Sequence, residues 1–216
     1  MQPVEVREQM IEQQVRAWDV LDERVLEVMR RVPRELFVPP EQAYLAYADV
    51  EVPLARGQHM LRPSVAGRLL QALLPAPGES VLEIGTGTGF VTACLRALQA
   101  PVRSLEVFAE LAEAARRNLA ALGMRDAEVV DADIFGFESG ARYGAIAVTA
   151  SLPRYDARFE RMLSVGGRLF VVVGEAPVME ARLVRRTAED AWTTESLFET
   201  VLDPLVNAAR PPQFSF

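Results

Sequence analysis

Three features of the sequence predict an α/β fold built on a doubly wound, mostly parallel sheet. Between Val81 and Val173, short apolar runs alternate with stretches of helical periodicity, the rhythm of strands joined by crossover helices. Alternate glycines, Gly85, Gly87 and Gly89, fall between the first of these runs and the first helical stretch, where a strand must turn tightly into a helix. Beyond Val173, Met179, Ala181 and Leu183 alternate with Glu180 and Arg182. After Ala188-Glu189-Asp190 a second extended run follows, so the tail reads as an antiparallel hairpin on a sheet edge.

The elements follow in order. Val4 to Arg31 carries apolar positions at helical spacing, Val25, Val28 and Met29 among them, and Pro33, Pro39, Pro40 and Pro53 then break the chain into loops. Arg62-Pro63-Ser64 reopens a helix whose inward positions are Val65, Leu69, Leu70, Leu73 and Leu74. Ser80 to Ile84 is a buried strand after the turn at Pro75 to Gly78. Val91, Leu95 and Leu98 mark the next helix, and Val102 to Val107 the second strand. Leu111, Ala115, Leu119 and Leu122 form one helical face that Gly123 ends as a left-handed cap. Further strands are expected at Ala127 to Asp131, Tyr143 to Thr149 and Arg168 to Val173, the last introduced by Gly166-Gly167. Residues 1–75 are expected to form a helical and looped head that caps the rest and supplies part of the ligand site. Residues 76–216 are expected to form the core of the same compact unit.

Composition removes several kinds of chemistry. All 23 basic residues are Arg, so Schiff-base lysines, a phosphate-loop Lys and a pyridoxal anchor are excluded. One His (His59) and one Cys (Cys94) leave no His-rich zinc site and no intramolecular disulfide; a carboxylate-bound metal stays open, but none is expected. A net charge of −7 argues against nucleic acid as a partner, since phosphate binding needs a basic surface, and the Arg30-Arg31, Arg116-Arg117 and Arg185-Arg186 pairs read as solvated faces. No apolar stretch approaches the ~20 residues of a membrane span, and the N-terminus lacks the apolar run of a signal peptide. A cytoplasmic location is expected.

The sharpest constellation is Glu83-Ile-Gly85-Thr-Gly87-Thr-Gly89-Phe90. A dinucleotide fingerprint needs G-x-G-x-x-G, but the third glycine arrives one residue early and Phe90 stands in its place. The pattern resembles motif I of the class I S-adenosylmethionine (AdoMet) methyltransferases. Glu106, ending the next strand, can accept hydrogen bonds from both ribose hydroxyls of an adenosine. Asp133, after the third strand, is similar to the position that contacts adenine in that family. A tight turn with no ligand is the plain alternative for the glycines, as exposed loop positions are for the two acids.

The flanks narrow the resemblance. Met10 to Gln14, Val25-Leu26, Arg31-Val-Pro-Arg-Glu-Leu-Phe-Val-Pro39, Tyr47-Ala-Asp49, Pro53-Leu54 and Gly57-Gln58 resemble the N-terminal region of the protein-L-isoaspartate O-methyltransferases. Val201-Leu-Asp-Pro204-Leu205 is similar to that family's C-terminal V-P-L strand. The resemblance implies a seven-stranded methyltransferase sheet, AdoMet as cofactor, and methyl transfer to the carboxylate of an isoaspartyl residue. It also implies cofactor contacts from Gln58, His59, Met60, Leu61, Glu83, Gly85, Thr86, Gly87, Gly89, Glu106 and Asp133. Where the family's loop has Thr and Ser, this sequence has His59 and Leu61, and in this it resembles a bacterial paralogue group of the family.

A carboxylate acceptor, with a pKa near 4, is ionised at neutral pH and needs no general base, whereas an amine or hydroxyl usually does. His59 is thus the catalytic candidate, as general base or substrate donor, with a loop histidine bonded to backbone as the alternative. Arg56 and Arg62 are candidates to clamp a substrate carboxylate, or surface residues. Asp49 is a candidate for the same mouth, and Trp18 either caps the pocket or staples the head to the core. Cys94 reads as structural. The expected activity is O-methylation of a peptide, protein or small-molecule carboxylate, and the alternative is a catalytically silent AdoMet-binding scaffold.

Overall fold

The apolar runs become strands where both faces of the sheet are covered. A computed structural model describes residues 3–210, and among them seven strands form one sheet, in the spatial order β5 (Glu128–Asp131), β4 (Val102–Glu106), β3 (Val81–Ile84), β6 (Tyr143–Leu152), β7 (Leu163–Glu175), β8 (Val178–Ala188) and β9 (Ala191–Glu199). β3 (Val81–Ile84) is buried at every position and pairs in parallel with β4 (Val102–Glu106) on one side and β6 (Tyr143–Leu152) on the other. β5 (Glu128–Asp131) lies outside β4, and β7 (Leu163–Glu175) follows β6 in parallel. β8 (Val178–Ala188) and β9 (Ala191–Glu199) add the antiparallel hairpin. The chain therefore runs outward from β3 to β5 and crosses back to β6. That switch leaves a crevice at the carboxyl ends of β3, β4 and β6.

β7 begins earlier than the glycine pair suggests. Tyr143 pairs with Leu163 but Ala145 with Arg168, so the intervening residues of β7 bulge out, and Gly166 takes φ +82° there. A Cβ on Gly167 would meet the Tyr143 and Ser164 carbonyl oxygens at 2.9 Å. The Val201–Leu205 stretch is not a strand either: its ladder contact is a single bridge from Pro204 to Ser151.

α4 (Phe90–Ala97) and α5 (Ala109–Ala121) are the crossover helices, and Gly123 follows α5 with φ +74° as its left-handed cap. In the head, α1 (Pro3–Met10) continues through a π-helical turn, Ile11–Val15, and a 3-10 turn, Arg16–Trp18, before α2 (Glu23–Arg31). Asp22 caps α2 by accepting from the Arg24 N–H at 2.9 Å. α3 (Pro63–Leu73) carries the predicted inward face at Val65, Leu69, Leu70 and Leu73, all fully buried, each contributing about 1.5–3 kcal/mol relative to exposure. Leu74, also expected to face inward on the helix, instead follows it as a half-buried left-handed cap with φ +31°. The head and α3 join one apolar cluster with the sheet, and Gly67 admits Val15 so closely that a Cβ would lie 2.8 Å from its Cγ1.

Arg34 is the head's one fully buried cation among the described residues. Its guanidinium donates to the carbonyls of Ala46 (3.0 Å) and Leu61 (2.7 Å) and lies 5.0 Å from the Phe90 ring centroid. Burial lowers its pKa to about 10, still charged at neutral pH. It thereby ties the head to the loop that precedes α3.

Candidate functional site

Two contiguous chambers open at the crevice. The larger, of about 740 Å³, is lined by Leu54, Gly85, Glu106, Asp133, Thr149 and Asp203, among others. The smaller, about 350 Å³, includes Met60, Leu61, Glu83 and Thr86, and the two share Leu54, His59, Leu61, Gly85, Gly87 and Thr149. The short hairpin of β1 (Val52–Pro53) and β2 (His59–Met60) forms one wall. Its turn is held by the Leu54 N–H donating to the Gln58 carbonyl at 2.8 Å.

The glycines serve distinct ends. Gly85 has φ +93°, and a Cβ there would collide with the Thr149 hydroxyl, which itself donates to the Ile84 carbonyl at 3.0 Å. Gly87, at φ +56°, donates its N–H to Glu106 Oε2 at 2.8 Å. Gly89 does not line the cleft, contrary to its inclusion among the expected cofactor contacts. A Cβ on it would sit 3.2 Å from Ala115 Cβ, so this glycine lets α4 and α5 approach each other. Thr86 lines the smaller chamber, but its hydroxyl is spent on Ser104 at 2.6 Å.

Glu106 is buried and its second oxygen accepts from the Phe108 N–H at 3.1 Å. Each oxygen thus has a backbone donor, the Val107 N–H also acts on the carboxylate, and lone-pair capacity remains for ligand hydroxyls. Burial raises its pKa, the backbone N–H groups notwithstanding. Glu83 is completely buried. Its Oε2 accepts from Ser104 (2.6 Å) and Thr92, while Oε1 has no hydrogen-bond partner among the described residues. Desolvation raises its pKa to about 7 against the pull of the two hydroxyls. Asp133 is held by the Phe135 N–H (2.9 Å) and Asn207 Nδ2 (2.8 Å).

Of the other predicted residues, Gln58, His59, Met60 and Leu61 all line one chamber or both. Arg56 and Arg62 do not line it: Arg56 pairs with Glu110 at 2.9 Å, and Arg62 with Glu51 at 3.3 Å. Asp49 is not in the mouth but receives the Ser64 N–H (3.0 Å) and hydroxyl (2.9 Å) at the start of α3. Trp18 packs edge-on against Phe198 of β9, centroids 6.0 Å apart, and so staples the head. Cys94 is buried, and burial pushes its thiol pKa up. The residue that sequence reasoning missed is Asp203, whose Oδ2 lies 2.7 Å from His59 Nδ1. Its one signal was a carboxylate in the apolar run Val201 to Leu205.

Among the described residues no group of three or more His, Cys, Asp or Glu is placed to hold a metal ion, and no helix is long and apolar enough to cross a membrane.

Comparison with known proteins bears on this cleft. The family model Protein-L-isoaspartate(D-aspartate) O-methyltransferase (PCMT) matches residues 5–210. A protein-L-isoaspartate O-methyltransferase of Aeropyrum pernix is 39% identical over 207 residues, covering 94% of this chain and 80% of the relative. Protein-L-isoaspartate O-methyltransferase 2 of Pelobacter propionicus is 39% identical over 204 residues, 94% and 91% of the two chains. Among solved structures, a Plasmodium falciparum protein described as a protein-L-isoaspartate O-methyltransferase, in complex with S-adenosyl-L-homocysteine, shares the fold. Its TM-score is 0.82 at 18% identity, over 93% of this chain and 98% of that one.

Proposed function

The chain belongs to the protein-L-isoaspartate O-methyltransferase family, and on that premise we propose that it transfers a methyl group from AdoMet to the free carboxylate of an isoaspartyl residue in a peptide or protein. AdoMet, when bound, supplies a methyl group already activated on a positively charged sulfur. The protein's task is then to position and to select.

The observation that carries the reading is Glu106. Held by the Gly87, Phe108 and Val107 N–H groups at the end of β4, it keeps lone-pair capacity for the ribose hydroxyls. The remaining lining fits the same ligand. Glu83 Oε1, buried beside the smaller chamber without a partner among the described residues, would take the methionyl ammonium. Asp133, with Ala132 and Ile134, would border the adenine, and Gly85 and Gly87 would let backbone approach the ligand closely. Met60 and Leu61 would supply an apolar wall, and Gln58 the adjoining rim. A cleft lined by Glu51, Glu83, Glu106, Asp133 and Asp203 suits a cationic cofactor.

Of the lining residues, we assign His59 to the acceptor rather than to the cofactor. In this reading residues 1–75 cap the core of 76–216, contributing the β1–β2 wall. The single buried Cys94 is in keeping with a cytoplasmic location. A catalytically silent scaffold finds no support in the open cleft or in the named relatives.

The test is methyl incorporation from labelled AdoMet into a synthetic isoaspartyl peptide, with the aspartyl peptide of the same sequence as control. Transfer confined to the isoaspartyl peptide is the expected result. Cofactor binding with no transfer to either peptide would remove the assigned acceptor.

A further inference from the structure

His59 and Asp203 meet across the mouth of the larger chamber although 144 residues separate them, with each side chain about one-third exposed. Their backbones are fixed independently. His59 is on β2, paired with Pro53 of β1. Asp203 lies in a segment clamped by Ser151: the Ser151 N–H donates to the Asp203 carbonyl (2.8 Å), its hydroxyl to the Leu202 carbonyl (2.9 Å), and the Leu205 N–H to the Ser151 carbonyl (2.8 Å). A carboxylate can only accept, so Nδ1 of His59 carries a proton directed at Asp203. Nε2 is the ring atom left for a ligand.

Charge decides what that atom meets. Glu51, Glu106, Asp133 and Asp203 line the larger chamber and Glu83 the smaller, and among the described residues no Arg lines either. Arg62 is drawn to Glu51 and Arg56 to Glu110. An acceptor carboxylate entering this mouth is repelled by its walls unless a group of opposite sign receives it, and His59 is the lining residue able to carry that sign. Resting on the methyl-transfer reading above, we infer that protonated His59 donates from Nε2 to one oxygen of the acceptor carboxylate, with Asp203 as the positioning residue that holds the ring by Nδ1. The second acceptor oxygen keeps the lone pair that forms the new O–CH3 bond, while the S–CH3 bond breaks with its electrons passing to sulfur. No proton moves in the step. This separates the anchor from a general base, since an ionised carboxylate has no proton to give.

The two roles have opposite signs in pH. An anchor is lost as the ring deprotonates, and a base is gained. The experiment follows S-adenosylhomocysteine formation from pH 5.5 to 8.5 with a synthetic isoaspartyl peptide at saturating AdoMet. It compares the wild type with His59→Gln, His59→Arg and Asp203→Asn, and S-adenosylhomocysteine affinity is measured by calorimetry on each. In the wild type the peptide KM is expected to rise with pH while kcat changes little. His59→Gln is expected to raise KM at the acidic end about tenfold, as for loss of a hydrogen bond to a charged group, and to flatten its pH profile. His59→Arg keeps its charge throughout, so its profile is flat too, with KM closer to the acidic wild-type value. Asp203→Asn shifts KM about threefold, the range of a partly exposed ion pair. Homocysteine-ligand affinity is expected to stay within about twofold in all four proteins, since the contacts assigned to the cofactor are untouched. A KM that falls with pH, or one indifferent to His59→Gln, overturns the anchor while leaving isoaspartyl methylation standing. Absence of wild-type turnover with normal ligand binding overturns the acceptor assignment and the anchor with it.

Discussion

Glu83 makes cofactor affinity depend on pH in a direction that can be worked out. Its carboxyl is wholly buried, its Oε1 has no partner among the described residues, and its pKa is raised to about 7. If the ionised form receives the methionyl ammonium, the free protein below pH 7 must release a proton before it can bind. With the folded value at about 7, about one-tenth of the protein is ionised at pH 6 and about nine-tenths at pH 8, so the dissociation constant should weaken about tenfold, or about 1.4 kcal/mol, between pH 8 and pH 6. Calorimetry with S-adenosylhomocysteine in two buffers of different ionisation enthalpy reads both quantities: the affinity, and a release approaching one proton per ligand at pH 6. Glu83→Gln removes this titration and should leave affinity weak at both pH values. Any pH dependence that persists in it belongs to Glu106, whose pKa is also raised, or to the ligand. An affinity equal at pH 6 and pH 8 in the wild type, or a dependence identical in Glu83→Gln, refutes the placement of the ammonium at Glu83.

Three further perturbations address other parts of the site. Gly87→Val forces a β-branched residue into φ +56° beside Leu54, whose Cδ1 lies 3.6 Å from a Cβ built there. It should abolish measurable ligand binding while leaving the circular dichroism of the fold unchanged, and intact calorimetric affinity would count against the glycine turn as cofactor contact. Trp18→Ala removes the edge-on contact with Phe198 and should lower unfolding free energy by about 1–2 kcal/mol in urea titration, with ligand affinity unchanged. A large loss of affinity would return Trp18 to the pocket. Ser151→Ala deletes a buried donor and leaves the Leu202 carbonyl short of a partner, at a cost of about 1 kcal/mol. It should raise the peptide KM more than it weakens homocysteine-ligand binding, and equal effects on both would show that the Leu202–Leu205 segment serves the whole cleft rather than the acceptor side.

The parallel sheet and its hairpin were legible because their signals are local. A buried strand writes itself as consecutive apolar residues, as in Val81 to Ile84, and the hairpin as alternation about a short polar turn. Bulges and long-range docking leave no such trace. The extra residues of β7 depend on where Tyr143 and Ala145 find partners, and the Val201–Leu205 run looks like a strand until its ladder contact is seen to be one bridge. Charged side chains were the least legible. Arg34 sits where Pro33 and Pro39 break the chain into loops, yet it is wholly buried because two loop carbonyls and the Phe90 face receive it. Arg56 and Arg62 looked free to clamp a substrate until Glu110 and Glu51 were found to hold them.

The same distinction separates the two halves of the site. Glu83, Gly85, Gly87 and Glu106 lie within a strand, a turn, a helix and a second strand, so their spacing encodes their meeting, and the cofactor half can be read from one short stretch. The acceptor half has no such stretch. His59 is delivered by a two-residue strand in the head and Asp203 by a segment docked on β6, and nothing between them in the chain requires that they touch. A change at either end alone would leave an unpaired carboxylate or an unoriented imidazole at the mouth, a smaller penalty there than in the core because both side chains are partly hydrated. The cofactor half tolerates less: a Cβ on Gly85 collides with Thr149, and Glu106 is buried against backbone donors. The two halves are therefore under unequal physical constraint. Within one methyltransferase fold, the acceptor side is where side chains can be exchanged without losing the cofactor.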